Sequence, residues 1–233
     1  MNEAAVKKED KPHYHGHRDR LRQRFLQGGA DALADYELLE LLLFMAIPRR
    51  DVKPLAKDLL ARFGNFAGVI NAPVADLEDF PGLSGNSVVA IKTVQEAARR
   101  MMKQEIMNKP VLSSWPRLVE YCTATMAHEK SEHFRILFLN KKNELIADEI
   151  QQTGTVDHTP AYPREIMKRA LELSATAIIL VHNHPSGDPQ PSQDDIDMTW
   201  AIKAAGDPFK IIVHDHLIVS KNGTTSFKMQ GLI

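Results

Sequence analysis

At 233 residues the chain is long enough for one large domain or two small ones. Its hydrophobic content of 43% and charged content of 25% are those of an ordinary soluble globular protein, and a formal net charge of -1 gives no global electrostatic case for nucleic acid or an anionic membrane. The one cysteine, Cys122, has no partner for an internal disulfide, which fits a reducing cytoplasmic setting and restricts any metal to His and carboxylate ligands.

In chain order, residues 1–17 are polar and read as a flexible tail without the apolar segment of a secretory signal. His13, His15 and His17 alternate there, but nothing around them builds a cavity. Residues 18–103 read as a small helical bundle. Leu38, Leu39, Leu41, Leu42 and Met45 form an apolar stripe that Pro48 ends, a second helix over 52–63 closes at Gly64, and a third covers 87–102. A short connecting turn is expected within 69–77. The run LLELLLFMAI contains Glu40 and falls short of the ~18 apolar residues of a membrane span, so no membrane contact is expected. Residues 104–110, with Pro110, read as a linker.

From residue 111 to 233 the pattern changes. A helix over 115–125 precedes a strand at 134–139, a turn at 140–144 and a return strand at 145–151. An amphipathic helix follows over 163–173, with Pro163 suited to its first position. Then come a buried strand at 175–181, a helix over 192–205, a strand at 211–220 and a Lys221-Asn222-Gly223 turn. The expected fold class is therefore α/β, an all-α bundle followed by a mixed α/β domain.

The chemistry concentrates in VHNHPSGDPQPSQDD, which ends at Asp195. His182 and His184 are two apart at the end of a strand, so their imidazoles share a face and can converge on one ion. Pro185, Gly187, Pro189 and Pro191 force a stiff loop, after which Ser192 and Asp195 open a helix that can return a carboxylate. Two His and one carboxylate leave a tetrahedral position open, the layout of a catalytic zinc site. Ser192 and Asp195 also fit a plain helix cap.

The full spacing H-x-H-x(7)-S-x-x-D resembles the signature of JAMM (MPN+) metalloproteases, and LVHNHPSGDPQPSQDD with the later DHLIV resembles the RadC family within it. The resemblance implies an MPN (JAMM) hydrolase domain with one Zn2+ per chain on His182, His184 and Asp195, and with Ser192 beside the oxyanion. It implies metal-activated water attacking an amide carbonyl of a peptide or protein substrate. A glutamate outside the ligand set must carry the proton. Glu132, at the start of a strand, is favoured, and Glu149, on the return strand, competes. Asp215 and His216 are expected to be structural or to support the site.

Residues 77–92 resemble a helix-hairpin-helix motif, which would bring Gly82, Ser84 and Gly85 to a phosphate. Ser84 replaces the usual second glycine, Gly85 is displaced by one, and the first cation after the turn is Lys92. Arg18, Arg20, Arg22 and Arg24 can add a basic face. Two functions follow as expectations: a zinc-dependent metallopeptidase or isopeptidase, or a DNA-associated binding protein with a structural or vestigial metal site.

Overall fold

The computed structural model describes residues 16–28, 32–153 and 162–233. The chain forms two compact units, divided between Gln95 and Glu96, in the expected α/β class. The first unit is helical: α1 (His17–Gly28), α2 (Asp35–Ala46), α3 (Lys53–Phe63), α4 (Phe66–Asn71), α5 (Val74–Glu78) and the start of α6 (Gly85–Ile106). Its core gathers Leu39, Leu43, Leu59, Val69, Leu77 and Ile91. In α2 the stripe Leu39, Leu42 and Leu43 is buried while Met45 is exposed, because one helical face of the apolar run meets the bundle.

Three local expectations change. Residues 1–15 of the expected tail lie outside the described residues, but His17 opens α1, with Nε2 2.8 Å from Oε2 of the buried Glu40. The turn expected within 69–77 contains the end of α4 and most of α5. Helices this short carry no readable period; α4 is announced only by Asn65, whose side chain accepts from the Gly68 amide at 2.7 Å. Helix α6 runs on to Ile106, and residues 104–110 are not a free linker. Met107 and Pro110 bridge to Leu145 and Glu144, the Val111 amide donates to the Asn143 carbonyl at 2.8 Å, and Ile106 and Val111 are buried beside Leu118 and Leu145. The buried apolar pair and the paired backbone groups fix the segment to the second unit.

The second unit contains α7 (Trp115–Met126), β1 (His133–Leu139), β2 (Leu145–Thr153), α8 (Pro163–Glu172), β3 (Ala177–Asn183), α9 (Gln193–Gly206), β4 (Ile212–Ser220) and β5 (Gly223–Ser226). The described strands order as β2-β1-β3-β4-β5. β1 runs antiparallel to both β2 and β3, and β3 runs parallel to β4. That parallel pair requires a crossover, which α9 supplies. Side chains of α7 pack on Leu137, Ile179, Val181 and Leu217, while those of α8 and α9 pack on Ile136, Phe138, Ile178 and Leu180. Both faces of β3 are thus covered, which is why AIILVHN reads as one buried run rather than an alternation. The Lys221-Asn222-Gly223 turn leads into β5, whose four residues left no strand signal. No helix among the described residues is long and apolar enough to cross a membrane.

Candidate metal centre

Strand β3 carries His182 near its carboxyl end, and the His184 amide extends the pairing by donating to the Val219 carbonyl at 3.0 Å. The chain then turns sharply. Gly187 has φ +91°, a backbone conformation that any side chain would strain, and a Cβ there would lie 2.9 Å from Asn222 Nδ2 and displace that amide. The Ser220 hydroxyl donates to the Gly187 carbonyl at 2.9 Å and ties the loop to the end of β4.

The loop delivers Ser192 as the N-cap of α9. Ser192 Oγ accepts from the Asp195 amide at 3.1 Å, and the Ser192 amide donates to Asp195 Oδ2 at 2.8 Å. The Ser192 hydroxyl proton is also directed to Asp195 Oδ2, at 2.6 Å. The capping arrangement is therefore real, and it does not compete with the metal reading. It aims the Asp195 carboxylate back at β3.

His182 Nε2 lies 2.9 Å from His184 Nε2 and 3.2 Å from Asp195 Oδ1, and His184 Nε2 lies 3.7 Å from Asp195 Oδ2. Among the described residues these three form a group able to hold a metal ion, with ligand atoms within 4.8 Å of one another. The separations bracket the ~3.3 Å edge of a tetrahedron built on zinc–ligand bonds of ~2.0–2.1 Å, so the donor set fits such an ion. His184 Nδ1 lies 2.7 Å from the Asp188 carbonyl, which can only accept. That nitrogen must carry a proton, and Nε2 faces the cluster.

The charges are arranged accordingly. Burial pushes the His182 imidazole down to about 4. Burial opposes ionisation of Asp195, yet the adjoining His184 and His182 rings and the hydrogen bonds from Ser192 hold its carboxyl well below the usual range. His184 is raised, chiefly by the Asp195 carboxylate beside it, with a smaller contribution from the charge of Glu132.

Glu132 immediately precedes β1. The two residues flanking it are clamped by Asn183, a fully buried side chain on the opposite face of β3 from His182. Asn183 Oδ1 accepts from the His133 amide at 2.8 Å, and its Nδ2 donates to the Ser131 carbonyl at 3.0 Å. Glu149 is placed differently. It pairs with Ile136 in the middle of β2, with β1 between it and β3, and Arg169 grips its carboxylate through Nη2 at 2.6 Å and Nε at 2.9 Å. The strand end expected to bring Glu149 beside the start of β1 is occupied by Gln152 and Thr153 instead.

In the first unit, Gly82 turns the chain at φ +93° between α5 and α6, Gly85 begins α6, and Ser84 Oγ lies 3.1 Å from Ser87 Oγ. Lys92 is turned inward: its ammonium donates to the Ile70 and Ala72 carbonyls and to Gln95 Oε1. Arg18 likewise donates to the Ile47, Pro48 and Arg50 carbonyls. Both cations spend their donors on the fold.

A family model described as a RadC-like JAB domain matches residues 112–232, more than half of the chain. The chain belongs to the RadC family. A second model, described as UPF0758 N-terminal, matches residues 15–89. The RadC domain thus coincides with the sheet unit that carries His182, His184 and Asp195.

Sequence reading missed three contributors to this RadC site. Thr199 is one turn beyond Asp195 in α9, a spacing that was a usable signal. Phe134 pairs with His182 across β1 and β3 and stacks on its ring at 6.3 Å, a contact set by strand register. Asn183 stood inside the Asn-His-Pro-Ser-Gly run but offered no hint of its clamp. His216, expected to be structural or supporting, lies against His182, with its Nε2 2.8 Å from His182 Nδ1. Asp215 faces away and accepts from Ser226 Oγ and the Lys228 amide. Replacing Asn183 by Ala is expected to free the Glu132 segment, lowering any turnover about 10-fold or more while leaving metal content intact. Unchanged turnover in that variant would show that Asn183 does not position Glu132.

Proposed function

We propose that this chain is a zinc-dependent amide hydrolase, a peptidase or isopeptidase acting on a peptide or protein substrate. The carrying observation is the convergence of His182, His184 and Asp195 on one point at the mouth of the sheet. His182 and His184 would hold the ion through Nε2, and Asp195 through its carboxylate. The chemistry such an ion supplies when bound is Lewis acidity, which acidifies water towards a pKa of ~7 and polarises an amide carbonyl.

The chain's own groups do the rest. Glu132 takes the water proton on its carboxylate and passes it to the leaving amine nitrogen. Ser192 donates its hydroxyl proton to the carbonyl oxygen as that atom gains negative charge, which requires the proton to turn away from Asp195 Oδ2. Phe134 and Phe227 lie against His182 and His216 and keep water from the back of the site.

The test is metal content after dialysis, on the full chain carrying His13→Asn and His15→Asn to remove adventitious sites. About one zinc per chain is expected, lost in His182→Ala and in His184→Ala. Glu132→Gln is expected to keep the metal and lower hydrolysis of peptide and isopeptide bonds by about 10²- to 10⁴-fold. A chain without zinc would overturn the reading, and full turnover in Glu132→Gln would remove Glu132 from its role.

The DNA-binding alternative has less support. The positive-φ Gly82 turn suits a phosphate contact, but Lys92 is turned inward and Arg18 spends its donors on main-chain carbonyls.

A further inference from the structure

Two of the three candidate ligands are joined by a hydrogen-bonded chain that passes behind them, and its direction follows from counting protons. Thr199 Oγ1 donates to the Asp195 main-chain carbonyl at 2.6 Å, since that oxygen can only accept. The same hydroxyl oxygen is 2.6 Å from His216 Nδ1. Its one proton is already committed, so it accepts there, and His216 Nδ1 carries a hydrogen. His216 is fully buried between Phe134 and Phe227, surroundings in which a neutral ring is the stable form. A neutral imidazole protonated on Nδ1 has a lone pair on Nε2. That atom lies 2.8 Å from His182 Nδ1, which must therefore donate. His182 is then left with its lone pair on Nε2, which accepts from His184 Nε2 at 2.9 Å when the His184 ring is protonated on both nitrogens and otherwise faces the site of the ion.

We infer that Thr199 and His216 are positioning residues that fix the tautomer of His182, so that Nε2 presents a lone pair to the ion. The inference rests on the reading of His182 as a metal ligand. A competing arrangement exists, and it shows why the threonine matters. If both rings were protonated on Nε2, His216 would donate to His182 Nδ1, and His182 would donate to Asp195 Oδ1, 3.2 Å away. Every group on that path would still be satisfied, but His182 would have no lone pair for a metal. What opposes this state is Thr199, which would face an unprotonated His216 Nδ1 with its own proton held by the Asp195 carbonyl. The main chain of one ligand thereby sets the protonation pattern of another.

The test is long-range ¹H–¹⁵N correlation spectroscopy of the imidazoles in the metal-free full chain, paired with zinc affinity by chelator competition. Both His182 and His216 are expected as the Nδ1–H tautomer. Thr199→Val, nearly isosteric but without a hydroxyl, is expected to move both rings towards Nε2–H and to weaken zinc binding about 10- to 100-fold. Thr199→Ser is expected to retain the wild-type tautomers and affinity. His182 as Nε2–H in the wild type, or unchanged tautomers in Thr199→Val, would overturn the inference. If the wild type takes up no zinc while the tautomers and their response to Thr199→Val are as expected, the hydrogen-bonded chain stands and the metal-ligand reading is what fails.

Discussion

Replacing Asp195 by Ala is expected to remove the metal from the chain and, separately, to destabilise the metal-free chain by about 1 kcal/mol. The two effects have one origin. The Asp195 carboxylate is both a candidate ligand, 3.2 Å from His182 Nε2, and the acceptor of the Ser192 amide at the start of α9. Asp195→Asn separates them. Its side-chain oxygen can still accept from the Ser192 amide, so the cap should hold, but a neutral amide oxygen is a much weaker ligand for zinc than a carboxylate and the metal should still be lost. Urea unfolding with chelator present reads the cap, and elemental analysis after dialysis reads the ligand. Zinc retained at wild-type level in both variants would remove Asp195 from the ligand set. Equal stability of Asp195→Ala and wild type without metal would mean that the cap contributes nothing.

The largest loss of stability is expected on the other face of the sheet. The Asp148 side chain is fully buried in β2, where it accepts from the Tyr121 hydroxyl of α7, from Arg135 Nη1 at 2.5 Å and from Lys103 at 3.3 Å. The Arg135 side chain is 12% exposed, and its Nε has no hydrogen-bond partner among the described residues. Asp148→Ala would leave that guanidinium buried without its counter-charge, at a cost of about 3–5 kcal/mol. The double variant Asp148→Leu with Arg135→Met removes both charges and should recover most of the loss. Chemical denaturation of the three proteins decides the matter; a loss below about 1 kcal/mol in Asp148→Ala would show that the guanidinium reaches water. Because this cluster lies on the α7 face, metal content should remain at wild-type level in every variant that folds.

Much of the candidate site is local in the chain, and that part was legible. His182 and His184 share a face because side chains alternate along a strand, the proline-rich loop can only turn, and Ser192 and Asp195 open a helix because their side chains satisfy its first amides. The α2 stripe, the buried run of β3 and the existence of most longer elements follow from periodicity in the same way. What periodicity does not carry is register between strands. Whether Glu132 or Glu149 could serve the site depended on which residues of β1 and β2 stand opposite one another, and on Arg169 of α8 claiming one of the two carboxylates. The pairing of β3 with β4, parallel and across the α9 crossover, brought His216 to His182 from 34 residues away. The fate of Lys92 was also invisible, because a lysine in an exposed-looking helix reads the same whether its ammonium faces solvent or caps the carbonyls of a short neighbouring helix. The sequence by itself determined most of the longer elements and the three converging donors, since both depend on spacing over a few residues. Only the tertiary structure decided what stands behind those donors, because long-range pairing is fixed by burial on both faces of the sheet.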